Sequence, residues 1–153
     1  MPIDQRFLVL AGLVLLASLL GFLLISRSGQ ARRIKNGEQV DLSEIRATKN
    51  GKLVTKLGKD ITLLQLSSDF CSSCKQTSTL LESIEKAREG LLHIDIEISD
   101  RLDLARTFNI LTTPTTLILN SRGEVISRIV GAPKQSTIES EIERLVNNGS
   151  KQN

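Results

Sequence analysis

Tryptophan and tyrosine are absent from this chain, phenylalanine occurs four times, cysteine twice and histidine once. Without stacking aromatics the chain lacks the platforms on which single-stranded DNA or RNA binders hold bases, and its net charge of +3 is mild, so nucleic acid is excluded as an expected partner. A tetrahedral zinc site needs two ligands beyond a cysteine pair. With His93 the sole histidine, metal binding would require a second copy of the chain. No internal repeat or low-complexity tract interrupts the sequence, and 153 residues leave room for one ordinary domain of roughly 100 to 120 residues plus a smaller piece.

That smaller piece is at the N-terminus. After a short flank at residues 1–6, residues 7–25 read FLVLAGLVLLASLLGFLLI without a charge. At about 1.5 Å per residue this run matches a hydrocarbon layer about 30 Å thick and predicts one transmembrane helix, with the lipid bilayer as its partner. A cleaved signal peptide is the rival reading, but its apolar core is shorter, about 7 to 15 residues. Arg6 precedes the run, whereas Arg27, Arg32, Arg33 and Lys35 follow it. Cations are retained on the cytoplasmic side, so the flanks predict a cytoplasmic C-terminal domain, with the extracytoplasmic placement as the alternative. Residues 26–37, rich in Arg, Ser, Gly and Gln, read as a basic juxtamembrane tether suited to anionic headgroups.

The rest, residues 38–148 with a tail at 149–153, reads as one α/β domain. Residues 41–45 predict a brief helix, Asn50-Gly51 a turn and residues 52–57 an outer strand. Residues 61–66 predict a short apolar strand. Leu80, Leu81, Ile84 and Ala87 then recur at helical spacing up to the stop signal Gly90. In LLHIDIEI, residues 91–98, Leu92, Ile94, Ile96 and Ile98 alternate with His93, Asp95 and Glu97, which predicts a second strand. A short helix over residues 100–108 follows, with Leu102, Leu104, Ala105 and Phe108 as its apolar contacts. Two strands at 115–119 and 125–130 are joined across Asn120-Ser121-Arg122-Gly123, and a helix at 134–148 closes the chain.

Both cysteines stand in one string, Phe70-Cys71-Ser72-Ser73-Cys74-Lys75, directly after the first clear strand. Two thiols two residues apart at a helix start can close and reopen without unfolding a domain, which makes a reversible two-electron site. A structural bridge over so short a loop adds little stability. Cys71 meets the unpaired N–H groups and positive dipole end of the helix, so its thiolate is favoured and it is the nucleophile. Cys74, one turn on and shielded, is the resolving thiol. His93 reads as a strand residue, not a catalytic base, since no acid–base partner accompanies it.

Together with Thr112-Thr113-Pro114-Thr115 before the hairpin and Val130-Gly131-Ala132 before the last helix, this order resembles the thioredoxin superfamily over roughly residues 59–146, in the form of a small membrane-anchored bacterial thiol–disulfide oxidoreductase. The resemblance implies a thioredoxin-like α/β fold, a central mixed sheet flanked by helices. It implies no metal or organic cofactor, because the redox-active disulfide stores the electrons. Pro114 is implied to be a cis proline which, with Thr113, forms a ledge for substrate backbone, with Gly131 allowing close approach and Phe70 supplying a hydrophobic lip. Protein thiols and disulfides at the membrane, and a recycling reductase or oxidase, are the implied partners.

Four departures stand out. Phe70 replaces the tryptophan usual before the first cysteine. Gln65 stands where the superfamily buries an acid beneath the second. Asp95 falls on the neighbouring strand, where lysine is usual, and is a candidate base by inversion of that pair. Ser72 and Ser73 replace a rigid proline and offer hydroxyls to the sulfur, which predicts a potential less negative than thioredoxin's own. The loss of the buried acid also leaves open a non-catalytic docking module for a membrane partner, and an extracytoplasmic exchanger in protein folding or cytochrome maturation is a further alternative.

Overall fold

The computed structural model describes residues 3–26, 29–33 and 37–149. Arg27 and Lys35 of the basic cluster, and residues 150–153 of the tail, lie outside the described residues. The apolar run forms α1 (Ile3–Ser26), which begins four residues before the predicted span because Ile3, Asp4, Gln5 and Arg6 continue the helix. Its side chains at residues 7–20 are exposed all round, with no polar face to turn towards water. The described side chains of α1 are those of residues 7–23, and among the described residues no helix is long and apolar enough to cross a membrane.

The elements that follow are β1 (Ala31–Arg33), β2 (Thr48–Lys49), β3 (Lys52–Leu53), β4 (Ile61–Ser67), α2 (Ser72–Ala87), β5 (Leu91–Glu97), α3 (Leu102–Thr107), β6 (Thr115–Asn120), β7 (Val125–Val130) and α4 (Gln135–Gly149). Five strands make one sheet in the order β1-β7-β6-β4-β5, and β2 and β3 pair separately. Only β4 and β5 run parallel, joined through α2; the other neighbours are antiparallel. The predicted mixed sheet flanked by helices is therefore present.

Successive side chains of a strand face opposite ways, and β4 is buried along its whole length, as a central strand with both faces covered must be. Ile61 and Leu63 pack with Ile118 and Ile129 under Leu81 and Ile84 of α2 and Ile138 and Ile142 of α4. Leu64 and Leu66 pack on the other face with Ile94, Ile96, Leu117 and Leu119 against Leu104, Phe108 and the segment carrying Val40, Leu42, Ile45 and Ala47.

Four expectations are corrected. The tether predicted at residues 26–37 is not free along its length, because Ala31, Arg32 and Arg33 pair with Ile129, Arg128 and Ser127 of β7 and add an edge strand. The predicted helix at 41–45 is a turn: Asp41 accepts from the Ser43 backbone at 2.8 Å, and Arg46 takes a positive φ of 52°, which ends any helical continuation. The outer strand predicted at 52–57 shrinks to β3, after which Val54 N–H bonds to Ala47 O at 2.8 Å. Leu102, expected to face the core, is exposed, whereas Leu104 and Phe108 are buried.

A candidate redox site at the end of the central strand

Ser67 ends β4, and Ile98 N–H bonds to its carbonyl at 3.0 Å. The chain therefore leaves the sheet at its C-terminal end and turns into α2, with Cys71 as the N-cap in extended backbone (φ −102°, ψ 99°). An N-cap side chain faces the orphan N–H groups of the first turn. Here the capping atom is sulfur: Cys74 N–H points at Cys71 Sγ at 3.1 Å, and Ser73 Oγ lies 3.3 Å from the same sulfur. Cys71 and Cys74 are joined as a disulfide, with their Cα atoms 5.2 Å apart. The two sulfurs differ in access, since Cys71 is half-buried and Cys74 is buried in the helix face.

Pro114 follows Thr113 through a cis peptide bond and is buried at the start of β6. Ser68 Oγ and Thr113 Oγ1 are 3.0 Å apart, so the loop before the cysteines is tied to the loop before β6. Gly131 N–H donates to Pro114 O at 2.8 Å, and its φ of +84° is one that a side chain would strain. Phe70 is 103% exposed. It stands directly before Cys71 as a bare apolar surface, joined at the same end of the sheet by Leu111 at 86%, three residues before Pro114.

Beneath Cys74 the polar pair has a definite geometry. Gln65 is fully buried, and its Nε2 donates to Cys74 O at 2.9 Å. Asp95 is its register partner across the parallel β4–β5 pair, with Nε2 to Oδ2 at 3.4 Å, while Ser67 Oγ donates to Asp95 Oδ1. Asp95 and Cys74 line one open groove of about 520 Å³ with Ser67, Lys75 and Glu97. Although the Asp95 side chain has an exposed rim, packing around its carboxyl dominates and pushes it above the usual carboxylate range, against bonds from Ser67 and Ser78. An amide cannot take a proton near neutrality, so of this buried pair Asp95 is the member that can titrate.

His93 is a strand residue as expected, on β5, but it is buried, 2% exposed, and its Nε2 has no hydrogen-bond partner among the described residues. Burial, helped by the cation of Lys49 and opposed by Glu85, pulls its pKa down to about 4. It is neutral, and it does not line the groove, although it shares a strand face with Asp95 two residues on. Among the described residues no group of His, Cys, Asp and Glu is disposed to hold a metal ion. Ser67 and Ser68 were missed by sequence reasoning. Their partners lie on strands and loops far along the chain, and the one available signal was their place between the first strand and the cysteines.

Comparison with known proteins gives the same frame. A family model described as Thioredoxin matches residues 41–144. Thioredoxin from Mycobacterium tuberculosis is 30% identical over 87 residues, 56% of this chain and 74% of that protein. Thioredoxin H2 from Arabidopsis thaliana is 23% identical over 90 residues, and the match spans 66% of its length, just under two thirds. Among solved structures, thioredoxin NaTrxh from Nicotiana alata superposes with a TM-score of 0.51 at 22% identity, covering 57% of this chain and 74% of that one. Oxidised mitochondrial thioredoxin 3 from Saccharomyces cerevisiae gives 0.50 at 21% identity, covering 57% and 80%. The matched span of the family model runs from the turn before β2 to the last helix and encloses the cysteine pair and the cis proline: the chain belongs to the thioredoxin family and is a thiol–disulfide oxidoreductase.

Proposed function

We propose that this protein is a membrane-anchored exchanger of disulfides with protein substrates, in which Cys71 attacks and Cys74 resolves. The observation that carries this reading is the asymmetry of the pair. Cys71 is accessible and capped by an N–H aimed at its sulfur, whereas Cys74 is buried behind the helix turn. In the reduced form the Cys71 thiolate attacks a substrate disulfide, one S–S bond forms as another breaks, and a substrate thiolate leaves. The Cys74 thiol then loses its proton and attacks Cys71 Sγ, which breaks the mixed disulfide and releases the second substrate thiolate. Two electrons pass to the substrate, and the Cys71–Cys74 disulfide returns to the dithiol by exchange with a recycling protein dithiol. Asp95, which lines the same groove as Cys74, takes the Cys74 proton in this mechanism, directly or through one water. Thr113, Pro114 and Gly131 hold the substrate backbone, and Phe70 meets its apolar side chains.

The anchor is α1. Its 24 residues extend about 36 Å at about 1.5 Å per residue, enough for a hydrocarbon layer about 30 Å thick. Its exposed apolar surface on all sides is costly in water, and the cations that follow it favour a cytoplasmic domain. A docking module is the second reading, and it draws on Gln65 in place of a buried acid.

Incubating the full-length Cys74→Ser variant with membrane protein extracts tests the exchanger. A mixed disulfide held at Cys71 is expected, reversible by dithiothreitol and absent from Cys71→Ser. Absence of any trapped species, with the cellular role intact in Cys71→Ser, would favour docking. Asp95→Asn should slow resolution of the mixed disulfide; resolution at the wild-type rate would remove Asp95 from the mechanism.

A further inference from the structure

The point at which the chain enters the domain lies at the catalytic end of the sheet. Gly29 N–H bonds to Val130 O at 2.7 Å, and β1 then runs antiparallel to β7 from Ala31 opposite Ile129 to Arg33 opposite Ser127. Ser127 Oγ adds a bond to Arg32 O at 3.2 Å. Gly29 is locked in place: its φ is +77°, and a Cβ there would stand 2.4 Å from Ala132 O. Val130 is the register partner of Thr115, and Gly131 bonds to Pro114 O. The entry point is therefore about two strand spacings, roughly 10 Å, from the cis proline.

α1 ends at Ser26, three residues before Gly29, a link that reaches at most about 11 Å. The opposite end of the sheet, with the β6–β7 turn, is about 20 Å further off, the length of a six-residue strand. We propose that this short link, clamped by the β1–β7 pairing, holds the catalytic end of the domain against the bilayer surface. The site then takes cysteines in juxtamembrane segments of integral membrane proteins, within roughly 20 Å of the surface by the two distances above. Two features match such a partner. Phe70, Leu111 and Val130 are exposed apolar residues at this end, and Arg32 and Arg33 on the entering strand are exposed, where they meet anionic headgroups. The inference rests on α1 being the membrane anchor.

The test uses the full chain in phosphatidylcholine–phosphatidylglycerol vesicles carrying a headgroup energy acceptor. A donor dye is placed on Cys71 in the Cys74→Ser variant, whose only thiol it is. In a second protein it is placed on the β6–β7 turn through Ser121→Cys in a Cys71→Ser, Cys74→Ser background. The expected result is that the Cys71 dye lies closer to the headgroups by up to one strand length, about 20 Å, and that a fifteen-residue Gly/Ser insertion between Ser28 and Gly29 abolishes the difference. Flotation of the protein with vesicles while the two dyes stand at equal distance, or with the Ser121 dye nearer, would overturn the orientation and leave the anchor standing. Failure of the unlabelled full chain to float would overturn the anchor and the orientation with it.

Discussion

Ser73 places a hydroxyl 3.3 Å from Cys71 Sγ, alongside the Cys74 N–H. Donors to the sulfur favour the thiolate, which exists only in the reduced form, so each raises the potential of the pair. Ser73→Ala removes one hydrogen bond of about 1 kcal/mol and should make the potential more negative by about 20 mV, measured against glutathione. An unchanged potential would show that the serine does not bond to the thiolate. At this scale the two cysteines are legible because their spacing is local and their isolation in the sequence is plain. Asp95 is half-legible: strand alternation puts it opposite Ile94 and Ile96, but only the parallel register sets it beside Gln65 and within reach of Ser67.

Among the elements, β5 shows what alternation alone cannot convey. Its pattern assigns His93 to a polar face, yet that face lies under α2, and the outer edge of the strand is clipped by the β2–β3 hairpin. Lys49 donates to His93 O at 2.9 Å and pairs with Glu85 of α2, an edge guarded by a lysine. The buried ring has a folded pKa of about 4 against an ordinary value of 6.5, so the unfolded chain binds a proton more readily. The associated stability is complete above about pH 6.5 and is lost as pH falls towards 4, on the order of 3 kcal/mol in all. Urea midpoints should drop between pH 7.5 and pH 4.5 in the wild type, and His93→Leu should lose much of that slope. Equal slopes would mean that His93 takes up its proton alike in the folded and unfolded chain. β4, β5, β6, β7 and the long helices are readable because periodicity and turn residues agree. β1 is not, because three residues with two arginines carry no apolar alternation and owe their strand to the edge of β7.

For the whole molecule, one redox pair is set at the end of a mixed sheet where the chain also enters from its N-terminal helix. The family fold fixes the first fact, and the pairing of β1 with β7 fixes the second, so the redox pair and the entry of the chain lie at the same end of the sheet. The central claim is that Cys71 and Cys74 form a working redox couple and not a structural bridge. Equilibrating the full-length protein over a graded series of thiol–disulfide buffers and counting free thiols tests it directly. The account predicts one reversible two-electron transition between about −270 and −120 mV, the range from thioredoxin to strongly oxidising exchangers. A pair that stays oxidised below about −300 mV, as structural disulfides do, would contradict it.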